Sequence, residues 1–138
     1  AHSLFPNDPQ FLFAEFVEHW AEHVLHGAIF PMVAWRVWRD LQEPEQDYFR
    51  RTREVRLQST LEEALERSPT LVPVLRSNLE PLRRTLTGRA YLAGDYPAFA
   101  DYLIFGALKW HRLMSGTSIL DEHDPVSDWY NRLDFVSA

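Results

Sequence analysis

Cysteine does not occur in the 138-residue chain. Its absence closes off a disulfide framework, a thiolate nucleophile and a cysteine-type zinc site at once. Long apolar runs are missing as well. The longest, GAIFPMVAW at 27–35, is about half of the ~20 residues a membrane-spanning helix needs. The N-terminal stretch lacks the charged-then-apolar pattern of a secretory signal. A soluble, cytoplasmic protein with no membrane partner is expected. Positive charge is in short supply, with 14 Lys and Arg against 20 Asp and Glu, a net charge of −6 and a pI near 5.4. The basic residues that do occur, as in FRRTREVR, are interleaved with acids. No nucleic-acid partner is expected, because phosphate-backbone affinity comes from clustered Lys and Arg. Period-two alternation never lasts long enough for a strand, and no repeat recurs along the chain.

Aromatic residues, by contrast, are abundant, with five Trp and nine Phe. A chain of this length forms one domain with a self-supporting core. The aromatic surplus can line a pocket for a flat apolar ligand. The chain opens AHS without an initiator Met, so the natural start of the protein is expected upstream.

After a loop at LFPNDPQ, helical periodicity runs from about Phe11 to Asp40 and is interrupted at Gly27 and Pro31, which predicts one long kinked helix. A second helix starts at QEPEQDYF with Pro44 in its first turn and stops before Pro69. A third places Leu71, Val74, Leu75, Leu79, Leu82 and Leu86 at helical spacing, bends at Pro81 and closes on Gly88. YLAGDYP reads as a turn. AFADYLIFGALKWHRLM is apolar on nearly every side, which marks a central buried helix. The last helix begins at DPVSDWYNRL, with Asp124 as N-cap and Pro125 at its first position. The class is all-α, a bundle of five to six helices.

Within EHWAEHVLHG, His19, His23 and His26 stand at i, i+4 and i+7, a helical stripe about 60° wide. Glu15, Glu18 and Glu22 lie nearby. Paired histidines one turn apart can grip zinc. His19 and His26 are separated by about 10 Å of helix rise, however, too far for both to reach one ion without strain. The opposite side carries Phe13, Phe16, Val17, Trp20, Val24 and Ala28, so the stripe also reads as the wet side of an amphipathic helix. No tightly bound metal is expected.

The run YLAGDYPAFADYLIFGALKWHRL, from Tyr91 to Leu113, resembles the C-terminal helical domain of glutathione transferases. Gly94, Pro97 and Asp101 match that family's turn and the capping box that opens its central helix. Ala98 stands where the family usually has Ser or Thr, at a cost of about 1 kcal/mol. YFRRTREVRLQSTLEEAL is similar to a stretch of the ether-cleaving, fungal-type branch, with Gln58 in place of its usual Gly, and DPVSDWYNRL is similar to that branch's final helix. The resemblance implies a chain that is the helical half of a longer enzyme. An N-terminal thioredoxin-like domain, absent from these 138 residues, would hold the glutathione co-substrate. The helical half would line a pocket for a small aromatic substrate, in a protein expected to be a homodimer. The first helix would then turn part of its stripe to the cleft, which makes His19 and His23 candidates for contacts to substrate or glutathione carboxylates. Trp110 and Leu113 of the central helix, with Trp20, are further substrate-binding candidates, and Pro97 and Asp101 are structural caps. No catalytic residue is expected in this half. Arg53 and Glu54 are accounted for by an ion pair on a partly solvated helix. The alternative is a noncatalytic helical module of the same fold, used for protein–protein docking.

Overall fold

The computed structural model describes residues 8–137, with side chains up to residue 135. The opening AHS and the first part of the expected loop lie outside the described residues. Among these the fold is helical, with a lone bridge between Tyr91 and Gly94 in place of any strand. The helices are α1 (Pro9–Trp20), a π-helical segment (Ala21–His26), α2 (Gly27–Asp40), α3 (Glu45–Leu57), α4 (Leu61–Asn78), α5 (Glu80–Leu86), α6 (Phe99–Ser115) and α7 (Pro125–Ser137). With 9–40 counted as one rod, that makes six rods among the described residues.

The long first rod begins where Asp8 accepts the N–H of Gln10 (2.8 Å) and Pro9 occupies the first turn. Its departure from α geometry is the π segment, and this ends just before Gly27, the residue whose carbonyl the Pro31 ring crowds. The expected kink is thus an inserted wide turn rather than a break. The buried stripe of the rod is Ala14, Val17, Ala21, Leu25 and Ile29. This corrects the aromatic face expected from periodicity, since Phe13 and Phe16 stay 41% and 67% exposed. The reason is the neighbour. α1 and α2 pack along α6, and the shared core places Ala21 with Ala100 and Ala107, small residues that let two helices approach closely.

A second correction concerns the chain between Glu45 and Leu86. The expected helix to Ser68 is two helices, broken at Gln58, which adopts a left-handed conformation (φ +56°). Thr60 then caps α4, its Oγ1 accepting the Glu63 N–H (3.0 Å) while its hydroxyl donates to the Glu63 carboxylate (3.0 Å). α4 runs straight through Pro69 and Pro73. Both rings are exposed and one turn apart, and the Leu65 and Pro69 carbonyls lose their helical donors. The bend expected at Pro81 falls at Leu79, and Pro81 sits in the first turn of α5.

The main core runs from Val17 through Leu25, Ile29 and Val33 of the rod to Leu75, Leu79, Ile104, Leu108, Trp129 and Leu133. A smaller cluster of Ala34, Phe49 and Leu61, flanked by Trp35 and Trp38, seats α3 against the end of α2. Arg50 clamps this corner. It pairs bidentately with Glu62 (2.9 and 2.8 Å), reaches Glu54 (2.7 Å) and lies 4.4 Å over the Trp38 ring. Glu54 also accepts the Leu61 N–H that opens α4 (2.9 Å). The ion pair expected for Arg53 and Glu54 is therefore divided, because Glu54 takes Arg50 and Arg53 lies over Phe49 (4.9 Å). Asp124 opens α7 as expected, accepting the Val126 N–H (2.9 Å), and Arg83 from α5 ties it back to the bundle (2.6 Å). Among the described residues no helix is long and apolar enough to cross a membrane.

Candidate substrate cleft

α6 is central but not sealed. Ala100, Asp101, Ile104, Phe105, Ala107, Leu108 and His111 are buried, while Tyr102 and Leu113 are 37% and 71% exposed. Its start is fixed by the turn at Tyr91–Gly94, where Tyr91 and Gly94 exchange backbone hydrogen bonds (3.0 and 3.1 Å) and φ of +126° at Gly94 requires glycine. Asp101 is fully buried. Its carboxylate accepts the Ala98 N–H (3.0 Å), the Leu92 N–H (2.8 Å) and the Trp129 indole N–H (2.9 Å). Ala98 has no side-chain acceptor, so half of the reciprocal cap is made, and Pro97 precedes it as a rigid entry.

With α6 so held, two clefts open on opposite sides of the first rod. One, of about 460 Å³, lies between the π segment and α6 and is lined by Glu18, Glu22, His26, Phe30, Arg56 and Trp110, with Ala21 and Leu103. The Trp110 and His26 rings face one another at 6.0 Å and 39°, and the Arg56 guanidinium lies 5.3 Å over Phe30. The other, of about 510 Å³, runs between α1 and α5 and is lined by Phe13, Phe16, Trp20, Pro81, Thr85 and Arg89, among others.

The five substrate-binding candidates read from the sequence are not gathered in one place. Trp110 lines the first cleft and Trp20 the second. His19 and His23 are exposed and line neither, and Leu113 projects from α6 outside both. The π segment is the physical reason. It turns each residue through roughly 80° instead of 100°, because its hydrogen bonds close at i→i+5. From Glu18 to Phe30, six such steps and six of about 100° sum to roughly three full turns, so the row spaced by four stays on one side and Glu22 and His26 share the cleft, while the 19–23–26 stripe is split. The cleft residues that the sequence reading passed over are Phe30 and Arg56. The row Glu18, Glu22, His26, Phe30 at strict i+4 spacing was the available signal, and nothing local marks Arg56 as its neighbour. Among the described residues no group of three His, Asp or Glu side chains is placed to hold a metal ion.

A rod of helices wrapped on a capped, buried central helix, with clefts on either side of the first rod, is an all-helical bundle whose open sides lie along that rod. A sequence profile of the glutathione S-transferase C-terminal domain matches residues 13–133, and the chain belongs to that family. Its fold is similar to that of glutathione transferase GSTFuA3 from Phanerochaete chrysosporium, with a TM-score of 0.79 and 28% sequence identity over 95% of this chain. The match spans 56% of that chain, so this sequence corresponds to about half the length of the solved transferase.

Proposed function

We propose that the chain is the helical, acceptor-binding half of a glutathione transferase, and that the cleft between the π segment and α6 receives a small aromatic electrophile. The observation that carries this reading is the opposed Trp110 and His26 pair, 6.0 Å apart in a cleft large enough for a ring system. Trp110 offers a stacking face, Leu103 and Phe30 add apolar wall, and the lining has no Ser, Thr or Tyr hydroxyl to stabilise a thiolate. Binding and activating glutathione would accordingly fall to a thioredoxin-like domain outside these residues. The surface of exposed Phe13 and Phe16 beside the half-buried Trp20 is read as the seat of that domain or of a second subunit. The same surface supports the alternative, a noncatalytic docking module.

The test uses the protein with its thioredoxin-like domain, glutathione and an activated aryl chloride. Trp110→Ala is expected to raise the KM for the aryl chloride several-fold, with the KM for glutathione nearly unchanged and the melting temperature little affected, because the ring is half-buried. An unchanged acceptor KM beside a stability loss of about 3–5 kcal/mol would make Trp110 a core residue. Absence of turnover in the two-domain protein would favour the docking module.

A further inference from the structure

The arginines differ in what their head groups hold. Arg50, Arg83, Arg84 and Arg39 bond carboxylates, and Arg36, Arg53, Arg67, Arg76, Arg89 and Arg132 bond hydroxyls or backbone carbonyls. Among the described residues Arg51, Arg56 and Arg112 make ring contacts alone, and of these three Arg56 is the one that lines a described cleft. Its guanidinium is laid against Phe30, which fixes the plane of the fork and leaves the N–H donors without an acceptor. Phe30 closes one end of the row along the rod. Glu18 and Glu22 mark the other end, and about 12 Å of helix rise separates Glu22 from Phe30. The cleft is thus bipolar, with an aromatic middle.

We propose that the aromatic ligand of this cleft carries an anionic substituent, a carboxylate or sulfonate, which Arg56 meets as a bidentate partner while the ring stacks on Trp110. This rests on the reading of the cleft as an aromatic acceptor site. Glu18 and Glu22 repel the anion from the opposite end, which sets the ligand's direction in the cleft. The chain's net charge of −6 repels anions in general, so a preference for an anionic over a neutral aromatic requires a local cation.

Two probes with one aromatic skeleton test this on the 138-residue chain, anilinonaphthalene sulfonate and its uncharged analogue phenylnaphthylamine, titrated by fluorescence. The sulfonate is expected to bind about tenfold tighter, ~1.4 kcal/mol, with the preference shrinking as salt is added. Arg56→Gln should abolish the preference and leave the Kd of the neutral probe unchanged. Arg56→Lys should keep part of it, and Trp110→Ala should weaken both probes. Equal binding of the two probes by the native chain, or a preference that survives Arg56→Gln, overturns the anionic substituent alone. Failure of Trp110→Ala to weaken either probe, or no binding of either, overturns the aromatic site and the proposal with it. A preference that responds to Glu22→Gln and not to Arg56→Gln would assign recognition to the acidic end and equally defeat the proposal.

Discussion

Asp101 shows how one side chain organises a fold without touching a ligand. Its two oxygens accept N–H groups from the α6 cap, from the turn at Leu92 and from Trp129 on α7, and all three donors would otherwise be left in or near the core. A buried donor without a partner costs about 1–3 kcal/mol. Asp101→Ala is accordingly expected to lower the unfolding free energy by about 3–5 kcal/mol, read from urea denaturation, and Asp101→Asn by less, because an amide oxygen keeps one acceptor. A loss under about 1 kcal/mol for the alanine variant would show that water reaches these donors.

At the scale of the element, the break between α3 and α4 turns on Gln58. A left-handed φ of +56° is where glycine ends helices without a Cβ clash. The resemblance to the fungal-type branch had already placed Gln58 at a position usually held by Gly, and the φ angle supplies the reason. Gln58→Gly is expected to raise the unfolding free energy by about 0.5–1 kcal/mol, visible as a rise of a few degrees in melting temperature. A neutral or destabilising result would mean that the entropy glycine adds to the unfolded chain outweighs the strain it relieves.

For the whole molecule, acid is the telling variable. His111 is buried between α6 and the rod, 3.5 Å from the Ser115 hydroxyl, and burial, with Arg36 adding repulsion, pushes its pKa below the ordinary 6.5. The unfolded chain therefore binds a proton that the native chain refuses, and stability falls as pH drops from about 6.5 toward the lowered value. Glu62 adds a second loss further down. Its hydrogen bonds to Arg50 hold it at about 2 against 4.5, so its contribution is complete above pH 4.5 and fades toward 2, weakened by solvent because the side chain is 54% exposed. The melting temperature should fall in two stages on acidification. His111→Gln should remove the first stage and leave the second, and a flat profile between pH 7 and 5 in the native chain would remove His111 from this account.

What the sequence determined by itself was whatever depends on neighbours along the chain. The all-α class, the Asp124–Pro125 start of α7, the Gly94 turn and the Asp101 cap are local signals, carried by φ preferences and by side chains that reach their own backbone. The family could be read from them. The STLEE capping box and the left-handed Gln58 are equally local and mark the α3–α4 break, whereas the proline at 69 lies inside α4 and ends nothing. Only the tertiary structure decided which face of the first rod is buried. Periodicity centres the buried face on Phe13, Phe16, Val17 and Trp20, yet the core takes Val17 together with Ala14 and Ala21 and leaves Phe13 and Phe16 exposed. It also decided the membership of the cleft. The π segment re-phases the rod by part of a turn, so His26 meets Trp110 while His19 and His23 do not, and Arg56 arrives from α3, which lies thirty residues further on in the chain. Both outcomes depend on how helices meet in space, and no spacing within one helix carries that information.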